Sequence, residues 1–375
     1  MQVPPNSSAG ANEVDALYAD ALAAWQAGRF EAALRLARAA IALEPRLPAL
    51  HYLAASALLE LDKADAAAGA YEAAVSLDPP YPLALHCAAG AALARARGDI
   101  KNGAAPLLEV PQSRSAGKVS VIVCSIDANK FARVSAAYAR LLEAIDHEII
   151  AIHDARSLAE GYNRGIRRSR GEILIFSHDD VDIVSPDFGA RLLHRVATQD
   201  LIGVAGTSRA THVAWPGAGW PHLHGQIGMP ASADGFIVTL YDARGPTIPG
   251  AQALDGAFLA CRREVAEEIG FDQTTFDGWH GYDFDFSFRA HLSGYRCAIC
   301  ADLLVVHGSR GNYDSPEWVR CAERAGAKFR DRLPEWNSAP AQPELCSVEV
   351  RSGLEWQLFN ARLYGTPRIE TEQAR

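Results

Sequence analysis

Three carboxylates and an imidazole fall within five residues at His178-Asp179-Asp180-Val181-Asp182. They follow directly on an apolar run, Ile173-Leu174-Ile175-Phe176. Like charges this close repel, so the cluster is costly unless a cation neutralises it. Oxygen-rich ligand sets suit Mg²⁺ or Mn²⁺, and the histidine could add a ring nitrogen. The competing reading is an exposed turn of capping aspartates, with Asp187 after Pro186 beginning a helix. The cluster alone admits both. A second group of chemically able residues lies at Trp279-His280-Gly281-Tyr282-Asp283-Phe284-Asp285, and a third at His307-Gly308-Ser309-Arg310-Gly311, behind the apolar run Leu303-Leu304-Val305-Val306.

The elements that must position these groups are legible around them. Val119 to Cys124, Glu148 to Ile152, Glu172 to Phe176 and Ile202 to Ala205 read as short buried strands, with helical patterns at 129–145, 157–169 and 187–198 between them. Apolar strands alternating with helices predict an α/β layer built on a parallel sheet. Ligands in such sheets sit at the carboxyl ends of strands. That directs attention to Ser125, Asp127, His153, Asp154 and the 178–182 cluster.

Residues 13–97 have a different grammar, rich in Ala and Leu and hence helical. Gly28 and Asp62, Ala33 and Ala67, Ala40 and Ala74, and Pro45 and Pro79 each lie 34 apart. This period, with Trp25-Gln26-Ala27-Gly28-Arg29-Phe30 and Leu43-Glu44-Pro45, resembles a tetratricopeptide repeat. A closing helix from Pro82 to Arg97 would cap the stack. The alternative is an Ala-rich helical bundle without repeats. The expected organisation is helical repeats at 12–100, a linker at 101–117, an α/β domain at 118–335 and a tail at 336–375.

The chain has 375 residues, 49% hydrophobic and 22% charged, with net charge −9. This is globular composition, and the acidity argues against nucleic-acid binding, where a basic face supplies the affinity. No run approaches the roughly 20 apolar residues of a membrane span. No secretory signal is evident, and seven cysteines without framework spacing fit a cytoplasmic setting, with peripheral attachment to the inner face of the membrane left open.

Residues 118–311 resemble a GT-A glycosyltransferase of the family 2 type, in particular a subgroup carrying His-x-Asp-Val and His-x-Tyr-Asp-x-Asp. His178-Asp179-Asp180 matches the metal motif Asp-x-Asp, with His in place of the first Asp. Gly161-Tyr162-Asn163-Arg164-Gly165-Ile166 is similar to the segment before that strand, and Leu254-Asp255-Gly256-Ala257-Phe258 to the acceptor-side strand. The 278–289 segment resembles the Glu-Asp-x-Asp helix start, with Tyr282 in place of Glu.

The resemblance implies a GT-A α/β catalytic domain, a nucleoside diphosphate sugar donor, a glycan, lipid-linked or protein acceptor, and Mn²⁺ or Mg²⁺. It implies a metal shell of Asp180 and His307 with His178 or Asp182 nearby. The donor would be held by Ser125, Asp127, Asp154, Asn163, Asp179 and Arg310. The acceptor would meet Asp255, Gly256, Trp279, His280 and Asp285. Asp283 would remove the acceptor proton, its charged form favoured by the helix dipole. Asp285 could instead pair with Arg289. The helical repeats would bind a protein partner or the acceptor.

Two rivals remain. A nucleotidyltransferase would need a triphosphate loop rich in Gly and Lys/Arg, which Ser125 to Lys130 does not supply. The other rival is an interaction protein whose transferase half is inactive. Three further signals point elsewhere. Cys297 and Cys300 lie in a strand-like run, where side chains three apart face opposite ways. His222 and His224 lie in a stretch that reads as a long loop, and Trp215 and Trp220 in it could offer stacking faces.

Overall fold

The computed structural model describes residues 7–103, 117–309, 315–333 and 345–365. Most of the expected linker lies outside them. The chain divides into two compact units: Met1–Pro106 with Leu354–Thr366, and Leu107–Gly353 with Pro367–Arg375.

The first unit is all-helical: α1 Ser7–Gln26, α2 Phe30–Leu43, α3 Pro48–Glu60, α4 Ala64–Ser76 and α5 Leu83–Lys101. Consecutive helices pack on one another through small side chains; Ala21, Ala33, Ala57, Ala67 and Ala74 are fully buried. The turns after α1 and α3 share one conformation, since Gly28 and Asp62 both have positive φ, 70° and 55°. At these two turns the 34-residue offset of the sequence is matched in the backbone. His51 and His86 bond the carbonyls of Pro45 and Pro82, and the His86 ring also meets Tyr52 edge-on, 6.2 Å between centres.

The second unit is the mixed α/β part. Its elements in chain order are β1 Val119–Cys124, α6 Ala128–Leu141, β2 His147–Ile152, α7 Leu158–Arg168, β3 Ile173–Ser177, β4 Val181–Ile183, α8 Phe188–Thr198, β5 Leu201–Gly203, β6 Ala205–Thr207, β7 Leu223–Pro230, β8 Phe236–Leu240, β9 Thr247–Pro249, β10 Ala253–Leu254 and β11 Phe258–Arg262. There follow α9 Arg263–Ile269, α10 Tyr282–Leu292, β12 Cys297–Cys300, β13 Val305–His307, α11 Pro316–Lys328 and β14 Cys346–Val350. A last helix, α12 Gly353–Tyr364, falls almost wholly in the helical unit, where Glu355 pairs with Arg97 at 2.8 Å and Arg362 with Asp99 at 2.7 Å.

The main sheet runs β2-β1-β3-β11-β5-β12-β9. β2, β1, β3, β5 and β12 are mutually parallel, and β11 and β9 oppose them. Alternation along β1 sends Val119, Val121 and Val123 into one buried cluster with Tyr138 of α6 and Phe188 of α8. It sends Ile122 into another with Tyr162 of α7 and Phe286 of α10. Both faces of the sheet are thus covered, as the mainly parallel arrangement requires. A second sheet runs β10-β6-β7-β13-β4, with β8 joining β7 and β14 pairing β8.

The expected fold class, a helical region followed by a mixed, mainly parallel α/β part, is what the structure has. Four details differ from, or refine, the sequence reading. The run 202–205 is divided between the two sheets, β5 and β6, because the chain crosses from one to the other at Val204. Leu303 ends a short 3-10 turn, Ala301–Leu303, and Leu304 follows it at φ 45°, before β13. Residues from Leu223 belong to strand β7, so His224 is in a sheet and not in the loop. Cys297 and Cys300 do sit on opposite faces, in separate core clusters, and burial pushes both thiols up to about 12.

Gly165 shows how closely α7 lies on β1. A Cβ there would stand 2.2 Å from Cγ2 of Ile122, which is fully buried. Gly165→Val should destabilise the chain by about 1–3 kcal/mol through overpacking, read as a lower urea midpoint with an unchanged slope.

Candidate active site

The parallel strands deliver their carboxyl-terminal residues to one edge. Ser125 follows β1, His153 and Asp154 follow β2, and His178 to Asp180 follow β3. Only those last three residues separate β3 in the main sheet from β4 in the second. β4 pairs antiparallel with β13, with Val181 opposite His307, and the Gly308 N–H donates to the Asp180 carbonyl at 2.9 Å. This register brings His307, 129 residues away in the chain, onto the cluster. On the other side the His178 N–H donates to the Ala257 carbonyl at 3.1 Å, which places the turn 255–257 beside it.

His178, Asp180 and His307 each offer one ligand atom, and these atoms lie within 4.8 Å of one another. Among the described residues this is the group of histidine, cysteine and carboxylate side chains able to hold a metal ion. His178 Nδ1 is 3.0 Å from His307 Nε2, which is 3.3 Å from Asp180 Oδ1. Burial and then the neighbouring His307 push His178 down to about 4, so its ring is neutral near pH 7. Burial would raise Asp180, but hydrogen bonds from His307 and Ser309 and the charge on His307 hold it well below the usual carboxylate range. Burial would lower His307, and Asp180 and Asp255 more than offset it. Two imidazole nitrogens and an ionised carboxylate are a fitting donor set for a divalent transition ion. Asp182 is not part of it. It lies exposed on β4 opposite Val306, with Oδ1 accepting the Ile183 N–H, because alternation turns it away from the His307 side.

Asp283 lies in the first turn of α10, half-buried, after Gly281 at φ 74°. The expectation that the helix dipole would leave it a strongly ionised base is corrected. Burial, and then the charge of Asp255, raise it to about 7, against the backbone N–H groups that favour ionisation. Asp255 is itself tied to the turn, its Oδ1 accepting the Ala257 N–H at 3.0 Å. Gly256 has no room for a side chain, since a Cβ would meet the Tyr282 hydroxyl at 2.3 Å and Asp283 Cβ at 2.8 Å. The Tyr282 hydroxyl is 3.0 Å from the Gly256 carbonyl and 2.7 Å from His178 Nε2.

A cleft of about 440 Å³ opens beside the cluster. His178, Asp179, Asp180, Ser125, Lys130 and Ser309 line its polar side; Cys124, Ile126, Ile152, Ala155 and Leu158 line its apolar side, with Trp279. Ser125 Oγ donates to Asp179 Oδ2 at 2.7 Å, and Lys130 lies 3.8 Å from Asp179. Another cleft of about 460 Å³ is lined by Glu172, Arg262, Arg263 and Glu267, among others, at the far ends of β3 and β11. It holds none of the groups above.

The remaining expected residues divide. Asp127 caps α6, accepting the Asn129 and Lys130 N–H groups, which lower its proton affinity. Asp154 pairs with Arg164 at 2.8 Å, and that bond holds its carboxyl down. Both carboxylates remain at the edge where ligands sit. Asn163 does not: its side chain brackets the Phe271 backbone, donating to the carbonyl and accepting from the N–H. It is a structural tie, not a donor contact. His280 lines a separate recess with Glu317 and Arg320. Asp285 is fully buried, with its oxygens committed to Arg289 and Lys328, so the ion-pair reading replaces the acceptor one. Trp215 is buried against Tyr241, and His224 is enclosed by Asp242, Ser208 and Arg244. Arg310 lies outside the described residues. Sequence reasoning passes over Lys130, Ser309 and the role of Tyr282. Their signal is positional: Lys130 falls one turn beyond the Asp127 cap, and Ser309 two residues after a strand-end histidine.

Comparison with known proteins gives the class. A family model described as "Glycosyltransferase like family" matches residues 120–332, and the chain belongs to that family. A curated relative, "Uncharacterized protein y4gI" of Sinorhizobium fredii (strain NBRC 101917 / NGR234), is 24% identical over 188 residues, 47% of this chain and 20% of its own length. The chain thus matches about a fifth of that relative. Among solved structures, the mannosyltransferase PcManGT from Pyrobaculum calidifontis, in complex with GDP-Man and Mn²⁺, is 15% identical with a TM-score of 0.38; the match covers 82% of this chain and 83% of that one. GalNAc-T7 with UDP, GalNAc and Mn²⁺ is 11% identical with a TM-score of 0.37, covering 58% of this chain and 50% of that one. Among the described residues no helix is long and apolar enough to cross a membrane.

The structural reading of Asp285 can be measured. Asp285→Ala leaves two cations without their buried partner and should cost about 3–5 kcal/mol, seen as a fall in melting temperature; a stable variant with altered activity would restore the acceptor reading.

Proposed function

We propose that the α/β unit transfers a sugar from a nucleoside diphosphate sugar to an acceptor hydroxyl, inverting the anomeric centre in a single displacement. One observation carries this reading. The turn 255–257 adjoins both the His178–Asp180–His307 group and Asp283, a carboxylate whose proton affinity sits near neutrality. A general base works best with a pKa close to the working pH. His178, Asp180 and His307 would hold a divalent cation, which stabilises the departing diphosphate. Two ring nitrogens make the set softer than the oxygen shells Mg²⁺ prefers, so Mn²⁺ suits it better.

Within the cleft, Ser125 fixes the Asp179 carboxylate, and Lys130 offers a cation to donor phosphates. Asp127 and Asp154 would meet the nucleoside, and the apolar wall from Cys124 to Leu158 would shield it from water. Trp279, 45% exposed at the rim, would present its face to a sugar ring. Asp255 raises the proton affinity of Asp283, which takes the proton as the acceptor oxygen attacks. The helical unit would act as a tetratricopeptide-like stack binding a protein partner or the acceptor; its matched turns at Gly28 and Asp62 support this.

Mn²⁺-dependent turnover of a nucleotide-sugar panel tests the assignment. Wild-type rate should rise with pH and level off above about 7, because only ionised Asp283 accepts a proton. Asp283→Asn should lower the rate by about 10²–10⁴-fold; an unchanged rate would remove Asp283 from the chemistry. The same variant should be more thermostable, and more so at pH 8 than at pH 5. The folded chain holds this proton more tightly than the unfolded chain, so wild type loses stability as pH rises from the ordinary carboxylate range to about 7. Asparagine removes that loss.

A further inference from the structure

Tyr282 joins the two halves of the candidate site. Its hydroxyl lies within hydrogen-bond distance of a carbonyl oxygen, that of Gly256, and of a ring nitrogen, Nε2 of His178. A carbonyl only accepts, and a phenol carries one hydrogen, so that hydrogen goes to Gly256. Toward His178 the phenolic oxygen can then only accept, which places a proton on Nε2. A neutral imidazole has a single N–H, so Nδ1 is left unprotonated, with a lone pair that can accept a hydrogen bond or bind a cation. Nδ1 is the atom turned toward His307, at 3.0 Å.

The phenol has little freedom to make other bonds. Tyr282 is 3% exposed, and its ring lies 5.6 Å from Tyr162 and 6.2 Å from Phe271, centre to centre. Gly256 supplies the space for the hydroxyl. A carboxylate here would also accept from Nε2. It would do so by adding another negative charge beside Asp180, Asp255 and Asp283, which tyrosine avoids.

We propose that Tyr282 is a positioning residue that fixes His178 as its Nε2–H tautomer and thereby presents Nδ1 to a cation. The cation half of this statement rests on the function proposed above; the tautomer half does not. Metal-ligating histidines depend on the partner that takes their other N–H, and losing that partner costs about 10–100-fold in metal affinity.

Two measurements on the full chain test it. Nitrogen–proton correlation spectra of the His178 ring in metal-free wild type should show the proton on Nε2; a proton on Nδ1 overturns the proposal. Tyr282→Phe should move part of the population to Nδ1–H and weaken Mn²⁺ binding about 10–100-fold by titration calorimetry. An unchanged tautomer with unchanged affinity overturns the proposal. Should the variant fail to fold, the wild-type ring spectrum decides alone. Wild type that binds no Mn²⁺ overturns the cation reading, and the metal-free spectrum keeps that failure distinct from a failure of the positioning role.

Discussion

Three residues, 178–180, are all that lie between a strand of one sheet and a strand of another. So short a connection leaves them no freedom to move away from either. The main sheet holds one side of the segment through the turn 255–257, and the second sheet holds the other through β13. A metal-sized group of ligands forms there because the polar residues of the segment and His307 are held by backbone register, which side-chain repulsion cannot easily undo. The electrostatic cost is visible in the directions of the shifts: His178 is lowered, His307 raised, and Asp283 raised to about 7.

The same constraint explains why the cleft is apolar on one side. The helix α7 is drawn onto β1 by glycines at 161 and 165, and its first turn, with Leu158, forms part of the cleft wall. Packing that stabilises the sheet and the surface that would screen a donor from water are therefore one set of contacts.

Strand periodicity and helix-forming composition made most of the α/β architecture legible in the sequence, because both sheet faces are covered and the strands read as apolar runs. Motif order and the family resemblance put Asp180 and His307 together, and left His178 and Asp182 as alternatives beside them. The sequence could not show which carboxylates would be absorbed by the fold. Asp182 and Asp180 are two residues apart, but Asp180 lies in the connection before β4, while Asp182 is on β4, on the face away from His307. Asp285 and Asp283 differ in the same way: one meets Lys328 from 43 residues away, the other meets Asp255. Dipole reasoning on Asp283 failed because it is local, while burial and Asp255 are tertiary. Asn163 misled because its partner, Phe271, is 108 residues distant.

The helix α11 acts as a splint along the segment that carries Asp283. Near its start Glu317 accepts the Trp279 N–H at 2.9 Å, and at its end Lys328 bridges Asp272 and Asp285. The span it braces begins at the cleft rim and ends inside α10. Any excised catalytic fragment must therefore run at least through Lys328. One cut after β13 would retain every candidate metal ligand and Asp283, yet would leave the fully buried Asp285 without one of its counter-charges and the Trp279 N–H without its Glu317 acceptor. The functional boundary of this unit is set by a helix that contributes no chemistry of its own.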